Sequence, residues 1–186
     1  MQESKFEIRF EIFEDDIEEL RAMDVKTFDK EFHEIYGPFT MRVDGHEWIP
    51  YPSDGLPLSA KRIYSELILT HFNLLVDVLA ALDAHTYVAL KYIENSWTWF
   101  VFEAHADQLS LSKLKAEEGS CTGLICTTPS LLKDAQVQIT SIFRIARSEF
   151  EQEIKDAITR LMAQIRAINL PLLESHYFRK VRRFLR

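Results

Sequence analysis

The chain has 186 residues, a formal net charge of −7 and a 47% share of hydrophobic side chains. A chain of that size fits one domain and buries roughly 70% of its unfolded surface, so no disulfide or metal staple is needed. The acidity argues against nonspecific nucleic-acid binding through a broad basic face. No apolar run reaches the ~20 residues that span a bilayer.

Thirteen phenylalanines and a 12% aromatic share point to an aromatic core and away from disorder. The first residues, Met1 to Lys5, carry no basic stretch followed by an apolar one, so no signal peptide is expected. Cys121 and Cys126 are the two cysteines, too few for a disulfide framework, and a reduced cytoplasmic protein is expected.

In chain order, residues 5–13 alternate, with Phe6, Ile8, Phe10 and Ile12 on one side and Glu7, Arg9 and Glu11 on the other. That is the pattern of a half-buried strand. Residues 14–36 are acidic with poor periodicity, so they read as short helical turns, and Gly37-Pro38 ends them. Residues 39–43 and 46–51 flank Asp44-Gly45, a type I′ turn signal, and predict a hairpin. The proline-rich stretch 50–58 is read as a loop.

Residues 59–83 read as the long central helix, with Ser59 as N-cap and a polar stripe of Arg62, Glu66, Thr70, Asn73 and Asp77. Residues 86–93, 97–104 and 108–114 predict a three-strand meander, and residues 123–127 a short buried strand. From about 140 to 168, apolar residues from Phe143 to Ile168 recur at spacings of three and four and predict a helix. Ser148 and Glu151 have capping-box spacing, so a start at that point is the alternative, unless the two lie only on the exposed face. Asn169 and Pro171 end it, and residues 171–185 predict a second C-terminal helix. Strands and helices are segregated, and connections between strands are short. The expected fold is one α+β domain over 1–186, an antiparallel sheet of hairpins and a meander packed against one long central helix and two C-terminal helices.

Motifs that carry chemistry are missing from the pattern. The cysteines have no second pair and no histidine at zinc-finger spacing. The five glycines form no phosphate-binding loop, and there is no nucleophile elbow. No cofactor and no metal are expected. An enzyme site assembled in three dimensions could be drawn from His105, Asp107 and Glu103, with Glu94, Glu103 and Asp107 as a carboxylate set and Cys121 as the more exposed thiol.

Charge and aromatics are more informative. Residues 1–60 hold 15 acidic and 6 basic side chains, a local net of −9, while the last twelve residues hold five basic side chains and no acid. A field of one sign steers a partner of the other. The basic end is expected to pair with the acidic third and with its own helix dipole, contact with anionic lipid or nucleic acid being the alternative. Trp97, Trp99, Phe100 and Phe102 are expected to pack as core, with exposure as binding or oligomer anchors the alternative. Trp48 and Tyr51 could pack down as a lid or project to a partner. Taken together, these features favour a noncatalytic protein-binding module, most concretely a bacterial immunity or antitoxin-type inhibitor of a basic partner such as a nuclease toxin. Its expected surface is Glu14, Asp15, Asp16, Glu18, Glu19, Trp48 and Tyr51. A hydrolase-like enzyme and a homo-oligomeric regulatory module are the alternatives.

Overall fold

The computed structural model describes residues 5–117, 121–132, 135–137 and 143–186. In chain order the main elements are β1 (Phe6–Phe10), α1 (Glu14–Ala22), β2 (Tyr36–Gly37), β3 (Phe39–Val43), β4 (His46–Glu47), β5 (Glu66–Leu67) and α2 (Ile68–Leu82). They continue with β6 (Tyr87–Lys91), β7 (Thr98–His105), β8 (Gln108–Lys115), β9 (Ile125–Cys126), β10 (Gln136–Val137), β11 (Phe143–Ala146), α3 (Arg147–Asn169) and α4 (Arg179–Phe184). This is the α+β class that the segregated pattern predicts.

Contacts gather the chain into two compact units. One comprises Met1–Phe6, Val43–Gly45 and Asp77–Glu151, and the other Glu7–Arg42, His46–Val76 and Gln152–Arg186. Each draws on three segments, so no single cut in the chain separates them.

The first unit is built on a six-stranded antiparallel sheet, ordered β10-β8-β7-β6-β9 with β11 also paired to β8. Its centre is the predicted meander. Alternation along β7 buries side chains on both faces. Trp99 and Val101 join Ala89, Ala116, Cys126 and Leu132 in one cluster. On the other face Phe102 meets Phe150 of α3 with ring centroids 5.1 Å apart, and Phe6 meets the same ring at 4.9 Å. Fully burying one such ring stabilises the fold by about 2–3 kcal/mol. The predicted short strand within 123–127 is β9, whose Cys126 pairs with Ala89 of β6.

One expectation fails in this unit. Residues 140–142 of the helix predicted from about 140 lie outside the described residues, and 143–146 form a strand, not a helix. Phe143 and Ile145 are buried and Arg144 is exposed, with Phe143 opposite Leu111 and Ile145 opposite Leu109. Phe143, Ala146 and Phe150 satisfy helical spacing by coincidence, and the free edge of β8 selects the strand. The helix starts at Arg147, one residue before the Ser148 that the capping-box alternative marks.

The second unit holds the acidic α1, the two-stranded β2–β5 ladder, most of α2 and α3, and the C-terminal turns. The Asp44-Gly45 turn between β3 and β4 is as predicted, with φ of 53° at Asp44 and 83° at Gly45. Helix α2 begins nine residues later than expected. Residues 58–64 form one α turn and one 3-10 turn, Ser65 is extended, and Glu66–Leu67 pair with Tyr36–Gly37. Ser59 therefore caps nothing. The capping oxygens come from Glu34, whose carboxylate accepts from the backbone N–H of Leu69 at 2.6 Å and of Thr70 at 2.9 Å. Glu66 of the expected polar stripe is instead buried, 2.8 Å from Nε2 of His71, and the His71 ring stacks on Phe39 at 4.5 Å.

The predicted second C-terminal helix is broken into two 3-10 turns, 170–174 and 176–178, before α4. Among the described residues no helix is long and apolar enough to cross a membrane.

Candidate functional site

Helix α1 carries the acids that the sequence singles out. Glu14, Asp15 and Asp16 occupy its first turn, where carboxylates meet the positive end of the helix dipole. The helix has no side-chain N-cap. Its orientation is fixed by what surrounds it. Leu20 points into the core. At the far end the Asn169 side-chain amide donates to the carbonyls of Leu20 and Met23 at 2.9 and 2.7 Å. Exposed on the helix are Glu14, Asp15, Glu18 and Glu19, with Arg21 and Ala22 in its last turn.

Two of the five acids are held by a single cation. The Arg62 guanidinium lies 2.5 Å from Asp15 and 2.7 Å from Asp16 and covers the Phe13 ring at 4.2 Å. Hydrogen bonds from Arg62 hold the Asp15 carboxyl below its ordinary value, and Arg62 in turn is pushed above its own. Lys61 likewise binds Glu11, at 2.7 Å. Glu14, Glu18 and Glu19 are exposed and form no ion pair among the described residues. The acidic third is thus partly neutralised by the adjoining Lys61 and Arg62 and, from within, by Arg9 on Asp54 and Arg42 on Glu7.

Beside α1 lies a cleft of about 180 Å³ lined by Asp16, Glu19, Leu20, Met23, Phe32, Glu34, Ile35, Tyr36 and Arg62. Its floor is Glu34, which accepts four hydrogen bonds: the two from the first turn of α2, one from the Thr70 hydroxyl at 2.5 Å and one from its neighbour Ile35 at 2.7 Å. Burial pushes the Glu34 carboxyl above its ordinary value against the pull of these donors.

Tyr36 stands at the side of the cleft, 38% exposed. Its backbone is placed by Gly37, where a Cβ would come within 1.8 Å of the Glu11 carbonyl oxygen, so only glycine allows that approach. Ile63, next in sequence to the arginine clamp, is 80% exposed. Sequence reading does not find Tyr36, Ile63 or Arg62 as site residues. Tyr36 sits before a chain-breaking Gly-Pro, and the other two fall inside the helix expected over 59–83.

The remaining candidates separate. Trp48 is 1% exposed. The loop is drawn inward by the Trp48 N–H donating to Met41 and by the Thr40 hydroxyl donating to Ile49. Of the two readings of that loop, packing down holds for Trp48, and its ring presents nothing to a partner. Tyr51 is half-buried under the Arg9 guanidinium at 4.8 Å, and burial pushes its hydroxyl above the ordinary value. Trp99, Phe100 and Phe102 are core, whereas Trp97 is 45% exposed with Lys115 over its ring at 5.3 Å.

His105 and Asp107 are exposed at the β7–β8 turn, and Glu103 precedes them on β7. None of the three lines the cleft. Among the described residues no group of three or more His, Cys, Asp or Glu side chains is placed to hold a metal ion. Both cysteines are free thiols. The basic C-terminus meets one half of the expectation, with Arg182 and Arg183 in the last turn of α4 at the negative end of its dipole, and departs from the other in its pairing. Arg182 pairs with Glu174 of its own segment at 3.0 Å, while Arg179 and Arg183 are exposed with no ion pair among the described residues. Asp29 of the acidic third binds His176 at 3.1 Å and the Ser175 hydroxyl, so the C-terminal segment is tied down through those two and not through its arginines.

Comparison of the chain with protein-family models, with curated proteins and with solved structures finds no match in any of the three.

Proposed function

We propose that the protein is a noncatalytic binding module that takes a basic protein partner on the face formed by α1, Tyr36 and Ile63. One observation carries the reading. Glu19, exposed and without an ion pair among the described residues, lines a narrow cleft together with the exposed Tyr36, while Glu14 and Glu18 are exposed on the same helix and Ile63 is exposed next in sequence to Arg62, which also lines the cleft. Long-range attraction brings a cationic partner in, while the apolar anchors and the cleft slow its departure. A Lys or Arg side chain entering the cleft on the side away from Arg62 would meet Glu19, and Tyr36 as a ring to stack on. The concrete form proposed is a bacterial immunity-type inhibitor, acting in the cytoplasm, that covers the cationic substrate groove of a nuclease toxin.

The test is a charge reversal read by kinetics. The variant E14K/E18K/E19K associates with the partner about tenfold or more slowly at low salt, and the salt dependence of its on-rate flattens. Tyr36→Ala and Ile63→Ala leave the on-rate alone and raise the off-rate. Unchanged rates in the triple variant would exclude α1 as the contact.

A further inference from the structure

The chain's two thiols, Cys121 and Cys126, are brought together at one edge of the six-stranded sheet. Cys126 is 2% exposed in the cluster built on Ala89, Trp99 and Val101, and Cys121 packs half-buried against the same cluster. The two thiol groups are within hydrogen-bond reach of each other. Backbone pairing fixes one side of this approach. Cys126 stands opposite Ala89 and Ile125 opposite Leu90 on β6, and the Leu124 carbonyl accepts from the Lys91 N–H at 2.8 Å. On the other side the chain turns through Gly123, whose carbonyl lies 4.0 Å from Cys121 Sγ. Side chains whose sulfurs already meet converge at Cβ, the condition under which a disulfide closes without backbone rearrangement.

We propose that Cys121 and Cys126 form a reversible thiol–disulfide site, in which Cys121 takes up a low-molecular-weight disulfide such as oxidised glutathione and Cys126 resolves it. Cys121 attacks first because it is the thiol that solvent reaches. Its thiolate bonds to one sulfur of the small disulfide and releases the other as a thiolate. The Cys126 thiolate then attacks Cys121 Sγ, closes the internal S–S bond and displaces the second small thiolate. The two protons given up by the cysteines end on the two released thiols. The protein is oxidised by two electrons and the small disulfide is reduced by two. Burial pushes the Cys126 thiol up, which makes it a poor attacker of reagents in solution. Against a sulfur already held beside it, proximity replaces concentration. Oxidation removes the hydrogen that Cys126 donates to the Thr128 carbonyl at 3.3 Å, but that carbonyl keeps the bond from the Leu131 N–H at 3.0 Å. No buried acceptor is therefore orphaned, and closure is not opposed by a lost hydrogen bond. The new bond pins β9, the two-residue strand that ends the sheet beyond β6. In a reducing compartment such a pair is open at rest and closes under oxidant. The pair belongs to the first unit and α1 to the second, and the proposal does not rest on the basic-partner reading.

The test treats the reduced, folded chain with excess oxidised glutathione, quenches with acid and alkylates in denaturant before mass spectrometry. The wild-type chain loses both alkylation sites and two hydrogens in mass, with both changes inside the single tryptic peptide 116–133, and dithiothreitol restores it. Cys126→Ala stops at a glutathione adduct on Cys121, whereas Cys121→Ala keeps a free Cys126 thiol. If Cys126→Ala fails to fold by circular dichroism, Cys126→Ser takes its place. Because the fold holds the two sulfurs together, the bond is more favourable in the folded chain than in the unfolded one. The thermodynamic cycle then requires the oxidised protein to unfold at a higher urea concentration than the reduced protein. A wild-type chain that stops at the adduct, links to a second copy through Cys121, or keeps both thiols overturns the proposal. So does an oxidised form whose urea midpoint is no higher, or glutathione taken up by Cys126 in Cys121→Ala as fast as by the wild type.

Discussion

Replacing Glu34 by alanine removes the acceptor on which the start of α2 depends. Backbone N–H groups of Ile35, Leu69 and Thr70 and the Thr70 hydroxyl all lose their oxygen. Ile35 and Leu69 are fully buried and water cannot take over, whereas Thr70 is half-exposed. An unsatisfied buried donor costs about 1–3 kcal/mol and a partly solvated one less, so the loss is about 3–5 kcal/mol. Glu34→Gln keeps the shape and one acceptor oxygen but sets an amide N–H₂ against the Thr70 N–H. About 2 kcal/mol of destabilisation is expected, because removing a buried charge offsets part of the lost bonding. Urea unfolding of the three proteins gives these differences directly. The pH dependence follows from the sign of the shift. A carboxyl raised above 4.5 in the folded chain binds its proton more tightly folded than unfolded. Wild-type stability relative to Glu34→Gln is therefore greatest below pH 4.5, declines as pH climbs through the folded value, and is flat above it. A difference that grows with pH, or an alanine variant as stable as wild type, would refute the cap assignment and its energetics.

Three further predictions rest on local geometry. Gly37→Ala forces a Cβ against the Glu11 carbonyl and destabilises by about 3 kcal/mol in the same unfolding assay. Arg62→Ala releases Asp15 and Asp16. The Asp15 carboxyl titration, followed by NMR, moves up toward its ordinary value because the guanidinium that lowers it is gone, and association with a cationic partner accelerates a few-fold at low salt. Burial pushes the Cys126 thiol up, while Cys121 is more exposed. Iodoacetamide therefore labels Cys121 first, with Cys126 reacting only on unfolding, as peptide mass spectrometry reads out.

The elements that were legible in the sequence are those whose signals are local. The alternation of β6 to β8 and the Asp44-Gly45 turn depend on neighbours along the chain, and they stand where period and turn chemistry put them. The start of α2 was not legible because its cap comes from Glu34, 35 residues upstream, and because the Tyr36–Gly37 ladder holds Glu66–Leu67 extended. The strand at 143–146 was hidden because four residues fit both periods and β8, distant in sequence, decides between them. At the site the row of acids was readable from composition. The arginine that quenches two of them and the exposed apolar pair beside them were not, since each depends on which side chains the fold leaves at the surface.

The most direct measurement is capture of partners from the native cell on wild-type protein and, in parallel, on E14K/E18K/E19K, with quantitative mass spectrometry. The account predicts a cationic protein enriched on the wild type, released by salt, and depleted about tenfold or more on the variant. Equal recovery on both, or a partner without excess positive charge, would contradict it.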